Sequence, residues 1–502
     1  MNERSIRFSL ANHPPLLIVL SMPQPAKRSI LRRTIRISNA EGVFSQVYNT
    51  AAGPGSIFTT KFVIMLGAQP IHFGLLVAIS QLSQVFQLLG VAITRNLTTR
   101  KEVVVKLISL GRILTFFMGF IPFILPPPLS MLAFLLLFFT SSALQAIGSN
   151  AWIAWISDIV PKCIRGRFFS IRTQYLFIAG LAAGFLLSAF VDLFDPSATT
   201  LAKLALPFLA NMAFFSPQNL VYAFPIVFIL GGVMGLVAMR ILAHQPEKPK
   251  AMERETFREM FLTPLKDKNF RRLLLFGLWF MFAVGVGSPF WQPFTIQTLG
   301  MSLVDMQIYG TISTLAAIMT LRLWGKMIDQ VGNRTAMVFA LVLGGINPLI
   351  WVFATREVHW FVYCEGFTSG IMWSGAGVIA TNFVLAIAPP EKRQIYSGML
   401  GAINGLGIML TSLLSGAWLP PPTQVLGLNL ASEQVEFAIS GFLRWSSVIP
   451  LLWVVEPRQK SVGEALHIMF DFTKVRVSNL YDLVRGRRHN HDNHDNHESH
   501  DA

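Results

Sequence analysis

Long apolar runs separated by short polar connections make up most of this chain. Twelve runs reach the roughly 20 mostly apolar residues that an α-helix needs to cross a bilayer. They lie near 43–67, 71–93, 103–125, 129–160, 168–192, 220–243, 271–294, 307–327, 335–355, 358–388, 395–418 and 434–456. The fourth and tenth exceed what a bilayer requires, which predicts tilt or protrusion. The longest polar stretch between runs, AHQPEKPKAMERETFREMFLTPLKDKNFRR from Ala243, divides them six and six. The expected fold class is therefore an all-α membrane protein, with twelve transmembrane helices in two pseudo-symmetric six-helix bundles. The expected units are a basic arm (1–42), a first bundle (43–243), a central loop (244–270), a second bundle (271–456) and a tail (457–502).

Sorting the connections onto alternate sides separates the charges. One side holds the N-terminal segment, the loops near 94–102, 161–167, 244–272, 326–334 and 389–394, and the C-terminal tail. Its basic residues include Arg28, Arg32, Arg33, Arg100, Lys101, Lys162, Arg165, Arg167, Arg271, Arg272, Lys392 and Arg393. The other side carries only Lys203 and Arg356. The positive-inside rule then places both termini in the cytoplasm of a multi-pass cell-membrane protein. The short stretch PPLLIVLSM in the first 40 residues cannot span, and a basic arm is the better reading than a cleaved signal.

Composition agrees. Of 502 residues, 53% are hydrophobic and only 13% charged, with a mean hydropathy of +0.52. A soluble domain carries about a quarter charged residues. The excess of 41 basic over 26 acidic residues is spread between apolar runs, so it reads as topology and not as a nucleic-acid surface. Two cysteines, Cys163 and Cys364, support neither a disulfide framework nor a cysteine zinc site. Gly325-Lys326 is followed by Met327, so no phosphate-binding loop marks an ATP-driven pump. No nucleophile–base pair or metal-ligand spacing appears in the runs. Neither an enzyme, a cofactor nor a bound metal is expected.

The halves resemble one another. MLGAQPIHFGLLVAISQL from Met65 matches TLGMSLVDMQIYGTISTL from Thr298, and RGRFFS from Arg165 matches KRQIYS from Lys392, at nearly the same offset. Such duplication is the architecture of secondary transporters, with a solute site near the midplane between the halves.

After the eighth run stands GKMIDQVGNR, Gly325 to Arg334. Gly, three residues, Asp, two residues, Gly and then base resembles the signature of the major facilitator superfamily, found there between helices two and three and between helices eight and nine. A sister copy begins at Gly90 and keeps Arg95, Arg100 and Lys101, but has Thr94 where the acid belongs. The resemblance covers about residues 40 to 456. It implies a small-solute carrier that rocks two halves about a central site, coupled to a proton or another gradient. It also implies a cytoplasmic gate built from Gly325, Asp329, Gly332, Arg334, the Gly90 copy and the neighbouring Asp158, Arg165 and Arg167. In physical terms Gly325 permits close helix approach, and Asp329 suits the orphan N–H groups of a neighbouring helix start. The alternative is a solvated loop whose charges only set topology. Neither the drug–proton antiporter nor the sugar-porter signature is present, so the subfamily is not assigned.

Ionisable groups inside runs cost about 2.5–3.5 kcal/mol each on insertion scales, so each needs a reason. Lys61 and Glu365 lie at similar depth in the first and tenth runs. Because the resembled fold puts those helices around the cavity, the two are candidates for an ion pair or an anion and proton site; snorkelling and local hydrogen bonding are the alternative. Arg112 and Arg444, in the third and twelfth runs, fit structural partners better. Uncharged cavity candidates are Gln46, Tyr48, Asn49, Gln145, Asn150, Trp152, Trp291, Gln292, Trp373 and Asn382, of which half are expected only to join helices. Breakers at Gly53–Gly55 and Gly287–Pro293 occupy matched places and point to bent helices at the site.

The tail has five histidines from His489 to His500, interleaved with Asp and Asn, which suits either metal capture or plain solvation; the segment before it suits the membrane surface. The reading is a monomeric carrier in contact with lipid, a small solute and a coupling proton. The rival is a transport-inactive relative acting as a membrane sensor or assembly factor.

Overall fold

The computed structural model describes residues 25–95, 99–195, 208, 212–247, 257–425 and 427–456. In an apolar solvent every backbone group must be satisfied within the segment, so the apolar runs become helices. The first run is divided into α1 (Pro25–Ala52) and α2 (Ile57–Met65). It is followed by α3 (Pro70–Arg95), α4 (Lys101–Met118), α5 (Pro127–Ile159), α6 (Lys162–Asp192) and α7 (Leu220–Leu242). A short amphipathic helix, α8 (Phe257–Lys266), ends the central connection. The second half holds α9 (Lys268–Gly287), α10 (Leu303–Val331), α11 (Asn333–Val352), α12 (Trp360–Ile387), α13 (Arg393–Ala417) and α14 (Ser432–Ser446). Helices therefore occupy all twelve expected runs.

By length and apolarity alone, seven described helices suffice to cross a membrane. Others carry polar turns that lower their hydropathy, as α1 does in KRSILRRTIR. Starting at Pro25, α1 begins well before the expected boundary at 43, so Glu41 belongs to the bundle and not to an arm. A feature with no sequence forewarning is the hairpin of β1 (Thr423–Val425) and β2 (Leu428–Leu430), which turns at Gly427 with φ 82°.

The duplication is visible in the packing. In the first half α1 packs on α6 and α7, α3 on α5, and α4 on α5 and α7. In the second half α9 packs on α13 and α14, α10 on α12, and α11 on α12 and α14. Each pairing has its counterpart. The halves touch through α3 on α13 and α6 on α10, which are likewise equivalent. Phe62 anchors one core, its ring 5.1–5.4 Å from Phe134, Phe224 and Phe228. Phe270, Phe280, Trp324 and Phe383 build the other. Ile178, Leu186, Met319 and Leu414 are exposed, as lipid-facing side chains must be.

Candidate functional site

Two helix breaks meet at the centre of the interface between the halves. Gly55 takes φ 82°, a conformation that favours glycine and lets α1 stop before α2 begins. Ser56 rejoins the pieces: it caps α2 by accepting from the Phe58 N–H at 3.3 Å and donates to the Thr50 carbonyl at 2.7 Å. In the other half α9 ends at Gly287, and the chain continues through a turn at Trp291–Pro293 and a π-helical turn at Phe294–Thr298. Gln292, from this second break, donates to the Gly55 carbonyl at 3.0 Å and accepts from Thr60 Oγ1. The matched breakers are thus in direct contact.

Beside this contact lies a cleft of about 330 Å³. Polar atoms reach it from Ser56, Thr60, Ser80, Gln81, Ser288 and Gln292, and apolar walls from Phe73, Leu76, Phe138 and Trp291. No ionisable side chain is among its described lining residues.

The two intramembrane charges at similar depth do not face one another. Lys61, 7% exposed, pairs instead with Asp195 at 3.3 Å and lies 3.9 Å from Asp192. Glu365, 4% exposed, accepts from the Tyr309 hydroxyl at 2.8 Å; Ser369, Trp351 and Arg444 lie close enough to interact with it. The expected pair fails because each half supplies its own nearer partners. The second half therefore contains a buried carboxylate with tyrosine, serine and arginine around it.

The first half contains a longer polar chain. Arg172 Nη2 donates to Glu41 at 2.9 Å, Ser45 donates to Glu41 at 2.6 Å, and Arg112 Nη2 donates to Ser45 at 2.9 Å. Arg112 also lies 4.9 Å over the Tyr48 ring, and Gln145 donates to the Tyr48 hydroxyl at 2.7 Å. Arg172 sits 4.7 Å over Trp152. Of the remaining candidates, Asn49 and Trp373 are exposed, while Gln46 and Asn382 are half-buried. The side chain of Asn150 lies outside the described residues. Tyr48, Gln145, Trp152 and Arg112 accordingly join helices.

The model of the Major Facilitator Superfamily matches residues 44–412 and 288–464. The chain belongs to that superfamily. Among curated proteins it is 25% identical over 113 residues to the tetracycline resistance protein, class H, of Pasteurella multocida, covering 22% of this chain and 26% of that protein. It is 27% identical over 111 residues to the class E protein of Escherichia coli, covering 22% and 27%. The matched region thus spans about a quarter of the length of these relatives. Similar solved structures include the nucleoside transporter NupG, with TM-score 0.58, 14% identity and coverage of 85% and 98%. The D-xylose-proton symporter gives the same TM-score, identity and coverage. A bacterial homologue of the lysosomal transporter Spinster, inward-facing and unoccupied, gives 0.54 and 15%, covering 86% and 95%. At these identities the likeness establishes the fold.

The superfamily motif is placed as the sequence suggested, but it is not engaged. Asp329 is exposed and makes no hydrogen bond or ion pair among the described residues. A Cβ added at Gly325 would meet nothing within 4 Å, so the close approach expected there is absent in this state. Gly332 is required, at φ 88°, to turn α10 into α11. Glu456 accepts from the Arg334 N–H at 2.8 Å and the Asn333 N–H at 3.0 Å, capping α11, and the Arg334 guanidinium donates to the Val454 carbonyl at 3.4 Å. In the first half Glu247 caps α4 in the same way, accepting from the N–H groups of Arg100 and, at 3.0 Å, Lys101. These two acids, in HQPEKP and VVEPRQ after the sixth and twelfth runs, went unnoticed in the sequence. The repeat was the signal, since each follows the last helix of its half. Arg165 donates to the Val160 carbonyl at 3.3 Å, and Arg167 is half-buried. The surroundings of Gly90, the side chains of Arg95 and Asp158, and the whole histidine-rich tail lie outside the described residues.

Proposed function

We propose that this facilitator is a secondary active carrier of a small uncharged solute, coupled to protons through Glu365 and working by alternating access of its halves. The observation that carries the reading is the Thr60–Gln292–Gly55 contact, where the breaks of both halves meet beside a cleft without described ionisable walls. A charged solute stripped of water there would lack a counter-charge, which is costly in a low-dielectric site. A neutral molecule with hydroxyl or amide groups would find Ser80, Gln81 and Gln292 as partners and Trp291 as an apolar wall. The nucleosides and D-xylose named for the similar structures are of that kind.

The protein is read as a monomer in the cell membrane with both termini in the cytoplasm. The contacts across the halves lie on the opposite face, so this state is closed to the outside. Asp329, idle here, becomes the latch of the opposite state, in which α10 meets the start of α6. Asp329→Asn is expected to slow return to the inward-closed state, read as a lower rate of solute exchange; an unchanged rate would remove the latch.

The test is uptake into proteoliposomes of a panel of uncharged and charged solutes, with and without a pH gradient. An uncharged solute is expected to move, and faster with the gradient imposed. Glu365→Gln, which mimics the protonated acid at all pH values, is expected to abolish the gradient's effect while exchange of solute persists. Gradient-driven uptake that survives this substitution would remove Glu365 as the proton site. If no solute moved, the sensor reading would take precedence.

A further inference from the structure

The helix α10 starts at the face opposite the termini, and its first turn has four N–H groups without intrahelical partners, as every helix does. Two are satisfied locally. Ser302 and Asp305 cap the helix reciprocally: the Ser302 hydroxyl accepts from the Asp305 N–H at 3.1 Å, and the Asp305 carboxylate accepts from the Ser302 N–H at 3.0 Å. The remaining two, of Leu303 at 3.1 Å and Val304 at 2.9 Å, donate to the two carboxylate oxygens of Asp192. Asp192 belongs to the other half, at the last residue of α6, and is fully buried.

We infer that Asp192 is the bolt that holds this face closed, a positioning residue for alternating access distinct from the superfamily motif. A carboxylate at a helix N-terminus meets both N–H donors and the positive end of the helix dipole. This bond pair and the Gln292 contacts join the halves by hydrogen bonds. The bolt is also built to open. Lys61 and Asp195, which flank Asp192, are on its own half, so parting the halves breaks the two bonds to α10 while the carboxylate keeps its cation. The α10 N–H groups then emerge at an opening face where water replaces the carboxylate. Lys61 is thereby assigned a role in tolerating the bolt, and not in binding solute.

The inference needs alternating access but neither the solute nor the proton of the preceding reading, so it is tested without either. In a background of Cys163→Ala and Cys364→Ala, Val77→Cys puts a thiol on the cleft wall, to be labelled by a membrane-impermeant maleimide from the face opposite the termini. Asp192→Asn is expected to raise the labelling rate about tenfold, the loss of charge-assisted hydrogen bonds. Val304→Pro removes one N–H donor at the second helical position, where no intrahelical hydrogen bond is lost, and leaves every charge in place. It is expected to raise the rate in the same direction, by less. Should Asp192→Asn misfold, as judged by size-exclusion chromatography, Val304→Pro alone decides. Unchanged labelling in Val304→Pro would overturn the bolt, because the carboxylate would then act elsewhere than on α10.

Discussion

Replacing Arg172 with methionine is expected to destabilise the first half by about 3–5 kcal/mol, the usual cost of removing one partner from a buried ion pair. Arg172 and Glu41 are both buried, and their contact is 2.9 Å. Methionine fills much of the volume, so the loss is chiefly electrostatic: Glu41 would keep only the Ser45 hydroxyl, itself held by Arg112. That remaining route to a cation places the expected cost at the lower end of the range. The Trp152 contact of Arg172 is lost as well, which adds about 0.5–2 kcal/mol for a cation over an aromatic face. The check is the thermal midpoint of detergent-solubilised protein for Arg172→Met, Glu41→Gln and both together. The double variant is expected to recover most of the loss, because neither charge is then left alone. A single variant as stable as the parent, or a double variant worse than Arg172→Met, would show that the pair is not coupled.

This network also shows where the sequence stopped being informative. Periodicity and charge located every spanning helix, because a bilayer permits little else and the apolar runs are long. Matched breakers at Gly53–Gly55 and Gly287–Pro293 were legible for the same reason, since glycine and proline act locally. Partners were not. Lys61 and Glu365 share a depth, and depth is all that a one-dimensional pattern contains; rotation about the helix axis decided that Lys61 meets Asp195 and Glu365 meets Tyr309. Glu41 falls in the expected arm because the first apolar run starts near 43, although its own partner lies 131 residues away on α6. Asp192 stands at the end of an apolar run, where an acid ordinarily marks a return to water. Only tertiary contact turns it into a cap for another half's helix.

Substituting valine for Gly74 is expected to hold the protein open on the face opposite the termini. Gly74 on α3 and Gly416 on α13 face each other across the halves. A Cβ added at Gly74 would collide with the Ser412 carbonyl oxygen and come within 3.1 Å of Gly416 Cα. Both obstacles are backbone, so no rotamer change relieves them, and the two helices must separate. Overpacking of this kind costs about 1–3 kcal/mol even where side chains give way. Two states of nearly equal energy shift by a decade for each 1.4 kcal/mol or so. The closed face is therefore expected to become a minor state, with labelling of Val77→Cys rising about ten- to hundredfold. Solute exchange falls, because the cycle then stalls on one side. The halves themselves are spared, since Gly74 packs between them and not within one. Gly401→Ala on the same α13 serves as the control: a Cβ there meets nothing within 4 Å, so labelling and exchange should match the parent. Labelling of Gly74→Val at the parent rate would mean that the α3–α13 contact does not seal this face, and the closing role would pass to Asp192 and Gln292 alone.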